Sequence, residues 1–237
     1  MELLTVSIIS AGYDERAAVI RNIDFSIKEG ELVGMIGSNG AGKSTTIKTV
    51  LGQLSHYKGT INFHENEEYA YIPERPIYYD ELTLWEHIEF IGGVEEIPYE
   101  KLQKRGTELL KKYRLLDVAH QLPSSFSKGM QQKGMIVLAL LTNPKLLIID
   151  EPFIGLDPNA TKLMLSSLEE MQKSGTGILM CTHVLDTAQR VCDRFIVIEK
   201  GTKIASGTLS EVLKECGVTE GGTLYDCIPE EGVDLGD

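Results

Sequence analysis

Positive charge is in short supply in this chain. There are 23 Lys and Arg against 35 Asp and Glu, a formal net charge of −12. A surface of that sign repels phosphate backbones, which argues against nonspecific nucleic-acid binding. Cysteine is also sparse: Cys181, Cys192, Cys216 and Cys227 form no C-x-x-C pair, and none has a histidine at metal-ligand spacing. They read as reduced thiols, so neither a disulfide framework nor a structural metal is expected. Long apolar runs are missing too. Stretches such as Met135 to Leu141 are too short to cross a bilayer. Met1-Glu2-Leu3-Leu4-Thr5 lacks the basic and apolar regions of a signal peptide. No internal repeat or heptad pattern is present, which excludes solenoids and coiled coils. A soluble, cytoplasmic protein is expected, with any membrane role arriving through another polypeptide.

What is present is enough apolar residue, 42% of 237, to build a core in one α/β domain. Leu3–Ser10, Asp24–Ile27 and Leu32–Ile36 read as strands, and a helix follows to about Gly52. Thr60–Phe63 and Tyr69–Ile72 read as short strands. From Leu84 to Leu141 the pattern is helical, with Leu84, Ile88 and Ile91 on one face and Leu102, Leu109 and Leu110 on another. Gln131–Leu141 reads as a further helix. Strands at Leu146–Ile149, Gly177–Thr182, Arg194–Glu199 and Lys203–Ala205 then alternate with helices at Asn159–Lys173 and Val184–Arg190. The layout predicts an α/β core with helices inserted at residues 74–142. After Gly217 come six acids and no cation (Glu220, Asp226, Glu230, Glu231, Asp234, Asp237), so residues 216–237 read as a solvated acidic tail.

Gly37-Ser38-Asn39-Gly40-Ala41-Gly42-Lys43-Ser44-Thr45 fits the phosphate-loop pattern G-x-x-x-x-G-K-[ST]. It lies between an apolar strand and a helix, the context that the chemistry needs. Glycines let the backbone turn its N–H groups toward phosphates, Lys43 adds a charge at the β- and γ-phosphates, and Ser44 offers a hydroxyl to Mg²⁺. A nucleoside triphosphate is the expected ligand. Leu146-Leu147-Ile148-Ile149-Asp150-Glu151 is an apolar strand ending in two acids. Asp150 is the candidate Mg²⁺ partner and Glu151 the candidate general base for an attacking water. His183 directly follows another strand and is placed to point at the γ-phosphate.

Phe126-Ser127-Lys128-Gly129-Met130-Gln131-Gln132-Lys133, upstream of Asp150, is similar to the signature motif of ABC-type ATPases. The resemblance runs from about Leu3 to Glu215, with the pieces in the family's order, and makes residues 1–215 one ABC ATPase domain. It implies a phosphate-loop core with an N-terminal antiparallel β part and an inserted helical subdomain. It further implies that Tyr13 stacks on adenine, that Gly155-Leu156-Asp157 is the D-loop and that His183 is the switch histidine. It implies ATP and Mg²⁺ as cofactors, and head-to-tail pairing with a second ATPase subunit, in which Ser127 and the Gly129 N–H cover the γ-phosphate held by the other copy.

The chain departs from the family pattern in the signature, where Lys128 stands at the first glycine, Met130 at the glutamine and Lys133 at a common arginine. It departs again at Tyr71-Ile72-Pro73-Glu74, where Glu74 replaces the glutamine that touches Mg²⁺. The segments Tyr71–Pro76, Leu82–His87 and Phe126–Gln132 resemble Ecs-type ABC transporter subunits. That likeness implies a polytopic membrane partner, an export or secretion role, and a location on the inner face of the cell membrane. Other readings are a soluble ABC ATPase of translation or DNA repair, or a regulatory subunit with degraded catalysis. One domain without heptads speaks against the former. Intact Glu151 and His183 speak against the latter.

Overall fold

The computed structural model describes residues 1–15, 17–64, 69–219 and 221–228. One nine-stranded sheet runs through the molecule in the order β4-β1-β2-β9-β8-β3-β7-β6-β5. At one end β1 (Glu2–Gly12) pairs antiparallel with β2 (Ile20–Lys28) and with β4 (His56–Phe63). At the other end β5 (Tyr69–Ile72), β6 (Leu146–Asp150), β7 (Gly177–Thr182), β3 (Leu32–Ile36) and β8 (Arg194–Glu199) are parallel neighbours. The strand β9 (Thr202–Gly207) turns back antiparallel on β8 and meets β2 at Arg21 and Thr202.

The unbroken aliphatic runs follow from this layout. Every residue of β3, β6 and β7 is buried, because helices cover one face of the parallel part and a helix with the antiparallel strands covers the other. Alternation then sorts the side chains between two cores. Leu147, Ile149, Ile178 and Met180 face one core, while Leu146, Ile148, Leu179 and Cys181 face the other.

The first core is shared with the helical insertion. This insertion comprises α2 (Leu84–Val94), α3 (Tyr99–Lys112), short 3₁₀ turns at Leu116–Val118 and Pro123–Ser125, and α4 (Lys128–Leu141). Ile88, Leu102, Leu110 and Ile136 pack into one cluster with Met164 and Leu168 of α5 (Pro158–Lys173). Between the insertion and the core, Tyr113 is buried and donates its hydroxyl to Ser167 Oγ at 3.0 Å. The second core holds α1 (Lys43–Val50) against the antiparallel strands.

Strands β2 and β4 begin four residues earlier than expected from the sequence, at Ile20 and His56, and two helices differ as well. Helix α4 begins at Lys128, because the Ser127 hydroxyl caps it by accepting the Met130 N–H at 3.3 Å. After α6 (Leu185–Val191) and β9, a helix α7 (Leu209–Glu215) is present, and its signal is the capping box Thr208-Leu209-Ser210-Glu211. The start of the acidic segment is also not simply solvated. Leu224 and Cys227, on a 3₁₀ turn, are buried with Ala205 and Val212, while Asp226 stays outside and caps the turn through the Thr223 N–H at 2.7 Å. Glu220, Glu230, Glu231, Asp234 and Asp237 lie outside the described residues.

Leu110 is fully buried, whereas Val94, at the end of α2, is 65% exposed. Leu110→Ala is therefore expected to lower the unfolding free energy by about 2–5 kcal/mol, and Val94→Ala by less than about 0.5 kcal/mol, in urea titrations. Equal losses would contradict a helical insertion fastened by this cluster.

Candidate active site

The register of three buried strands assembles the site. Ile36 lies opposite Thr182, and Asp150 opposite Cys181, so the segments that leave β3, β6 and β7 emerge side by side at the carboxyl edge. There they border an open cleft of about 350 Å³, lined by Asn39, Gly40, Gly42, Lys43, Ser44, Thr45, Glu74, Glu151, Ile154 and His183.

The loop after β3 depends on its glycines. A Cβ on Gly37 would sit 2.1 Å from the Ile198 carbonyl oxygen, and Gly42 adopts φ +113° where the chain enters α1. The Ala41 N–H donates to Ser38 O at 3.2 Å and the Gly201 N–H to Ala41 O at 2.8 Å, tying the loop to the β8–β9 turn. No side chain caps α1, and its first turn holds no acid, so its N-terminal N–H groups are left for an anion. Lys43 is buried and donates to the carbonyls of Gly37 (2.8 Å) and Ser38 (3.0 Å).

Asp150 is 4% exposed, and its Oδ1 has no hydrogen-bond partner. Burial pushes its carboxyl above the ordinary range. The Ser44 hydroxyl opposes the shift by hydrogen bonding, nearby Glu151 and Glu74 add to it, and Lys43 opposes it. An orphaned buried carboxylate oxygen beside a serine hydroxyl fits a small divalent cation, which takes one or two protein ligands and fills its shell with phosphate and water. Among the described residues no group of three His, Cys, Asp or Glu makes a metal site by itself. Any such ion therefore depends on the nucleotide.

Glu151 is held in a conformation that side chains seldom adopt, at φ +50°. Its N–H donates to Cys181 O at 2.9 Å, and the bend carries its carboxylate across to the end of β7. There Oε1 faces His183 Nδ1 at 2.9 Å, and Oε2 accepts from Thr182 Oγ1 (3.2 Å) and the His183 N–H (3.4 Å). The Glu151 side chain is 9% exposed and that of His183 is 45% exposed. Thr182 was missed in the sequence reading, where only its place beside His183 could have signalled it. The loop after Glu74 is pinned by buried His87, whose Nε2 accepts the Tyr79 N–H (2.9 Å) while Nδ1 donates to Thr83 O (2.8 Å).

The remaining sequence candidates lie elsewhere. Tyr13 is exposed, with Lys48 Nζ of α1 lying 5.5 Å from its ring centre. Ser127 and Gly129 are not among the cleft residues. Gly129 packs on the D-loop segment, where a Cβ would approach Gly155 O to 2.8 Å, and Lys133 Nζ lies 3.4 Å from Asp157 Oδ2.

A phosphate loop, a strand-end acid pair and a following strand-end histidine on one parallel edge define a nucleoside triphosphatase of the phosphate-loop class. The ABC transporter family matches residues 20–154. The chain is 49% identical over 225 residues to YthP, an ABC transporter ATP-binding protein of Bacillus subtilis (strain 168), covering 95% of this chain and 94% of that one. It is 43% identical to the ABC-type transporter ATP-binding protein EcsA of the same organism, covering 93% of each. A solved ATP-binding subunit of an ABC transporter superposes with a TM-score of 0.89 at 40% identity, over 95% of this chain and 97% of that one. CbiO1 of Clostridium perfringens, part of the transporter complex CbiONQ, superposes with a TM-score of 0.75 at 27% identity, over 90% and 91%. The chain belongs to the ABC transporter family as an ATP-binding subunit, and its activity is ATP hydrolysis. Subunits of this kind work with membrane permease partners.

The raised carboxyl of Asp150 has a defined sign. A group that binds its proton more tightly when folded favours the fold at low pH, and that contribution is lost as pH rises through the raised folded value. Charged Asp150 therefore weakens the nucleotide-free fold at neutral pH. Asp150→Asn should raise the nucleotide-free Tm at pH 7.5, with the gain closing as pH falls toward about 4. A lower Tm at pH 7.5 would contradict this account.

Proposed function

We propose that the chain drives a membrane transporter by hydrolysing ATP at this cleft, with a second copy completing the site. The observation that carries the reading is the pairing of a built half-site with a displaced one. Lys43, Ser44, Asp150, Glu151 and His183 converge, while Ser127 and Gly129 lie at a helix start outside the cleft. A helix N-terminus with a serine cap suits an anionic phosphate, and in this reading that phosphate is held by another subunit.

In this reading the ATP phosphates take the N–H groups of Ser38 to Thr45, and Lys43 exchanges the carbonyls of Gly37 and Ser38 for phosphate oxygens. Tyr13 stacks on the base. Ser44 and Asp150 hold Mg²⁺, with Glu74 near it; the ion supplies charge neutralisation at the phosphate oxygens. Water attacks the γ-phosphorus, its proton passes to Glu151, and the bond to the bridging oxygen of ADP breaks. His183 turns from Glu151 to the γ-phosphate. Glu74 adds negative charge near that phosphate and so tunes the cycle without abolishing hydrolysis.

The partner is a polytopic permease, and the subunit sits on the inner face of the cell membrane. No described helix is long and apolar enough to cross a membrane. Ile77, Tyr79 and Phe90 are exposed beside Glu74's loop, and the Tyr79 and Phe90 rings lie 5.4 Å apart, an apolar patch suited to a protein partner. Trp85 is less available, because it packs against the core and donates to Glu89 at 2.9 Å. The Ecs-type likeness supports a role in export or secretion. The net charge of −12 supports a role without nucleic acid.

Single-turnover hydrolysis tests the chemistry. Glu151→Gln should slow it by roughly 10²- to 10⁴-fold with ATP binding retained, and Glu74→Gln should change it by less than about tenfold. Equal, negligible rates for wild type and Glu151→Gln would favour a regulatory subunit. A tagged Glu151→Gln chain in ATP should recover one polytopic protein from detergent-solubilised host membranes. Recovery of soluble partners or ribosomes alone would overturn the transport reading.

A further inference from the structure

The structure assigns Thr182 as the positioning residue that orients the Glu151 carboxylate for proton transfer. This inference rests on Glu151 being the proton acceptor, the reading given above. Thr182 is completely buried at the last position of β7, opposite Ile36 of β3, so it is fixed to the strand that carries the phosphate loop. Its hydroxyl has one proton to give. The oxygen accepts the Val184 N–H at 3.1 Å, and the proton goes to Glu151 Oε2 at 3.2 Å.

The two carboxylate oxygens are therefore held differently. Oε2 is anchored by Thr182 and by the His183 main chain, both parts of the β7 end. Oε1 meets only the His183 ring among the contacts described, and that side chain is 45% exposed. A half-exposed ring can rotate away, whereas a buried strand-end hydroxyl cannot. When the ring leaves, Oε1 becomes free to accept a proton from water, and Thr182 keeps the carboxylate from turning with the ring. The strained Glu151 backbone at φ +50° makes this restraint necessary, because a glutamate released from β7 has no other described contact to hold its carboxylate at the cleft.

Thr182→Val keeps the shape and removes the hydroxyl. It is expected to lower kcat roughly tenfold to hundredfold, the range for losing a hydrogen bond to a charged group, with KM for ATP within about twofold of wild type. Thr182→Ser, which restores the donor, should stay within about threefold of wild type. In a Glu151→Gln background, Thr182→Val should change the residual single-turnover rate by less than about twofold, because its effect passes through the carboxylate.

Wild-type kcat in Thr182→Val, an equal loss in Thr182→Ser, or an undiminished loss in the Glu151→Gln background would each overturn the assignment. Failure of the underlying reading is distinguishable. Glu151→Gln would then turn over at the wild-type rate whatever Thr182→Val did, whereas a slow Glu151→Gln with a wild-type Thr182→Val overturns the assignment of Thr182 alone.

Discussion

The parallel register of β3, β7 and β6 is the constraint on which the rest depends. Ile36 opposite Thr182 and Asp150 opposite Cys181 put the phosphate loop, the acid pair and the histidine on one edge. These strands are buried on both faces, and a slip of one residue would exchange the two cores, so packing enforces the alignment. The helices and the antiparallel strands serve this edge by covering it. Asp150, Glu151 and Glu74 then concentrate negative charge at a partly desolvated place where Lys43 is the one cation among the cleft residues. That imbalance shapes the cleft for a cation that arrives with its own anionic ligand.

The segment after Glu151 joins the cleft to the start of α4. Gly155 packs on Gly129, and Asp157 caps α5 while pairing with Lys133 of α4. The signature helix is thus seated on the loop that leaves the catalytic strand. A change at Glu151 has only a few residues of chain to cross before it meets the surface that the proposed pairing would offer to another subunit. Lys128 and Met130, the altered signature positions, leave the Ser127 cap and the close Gly129 contact in place.

Much of this was legible in the sequence because it rests on local rules. Uninterrupted aliphatics marked the strands buried on both faces. Gly37 to Thr45 carried its own explanation, since a loop that turns N–H groups inward needs glycine where a Cβ would strike Ile198 O. The strand-end acids and His183 followed from polarity changing abruptly at the end of an apolar run. What could not be read depends on distant partners. Thr182 is an ordinary strand residue until the register brings Glu151 across to it. Glu151's own backbone reversal has no marker, because a glutamate at positive φ breaks the usual preference. Leu224 and Cys227 were hidden by the acids around them, although two apolar side chains suffice to dock a turn on Val212.

In the proposed pairing the cleft is half of a site and a second copy supplies the other half. Sedimentation of the Glu151→Gln chain with and without Mg²⁺-ATP is the first test, because this variant is expected to retain nucleotide binding and to consume the nucleotide slowly. Monomers are expected without nucleotide, dimers with it, and loss of those dimers when Ser127 and Gly129 are also replaced. Nucleotide-bound protein that stays monomeric at concentrations well above the nucleotide Kd would contradict it.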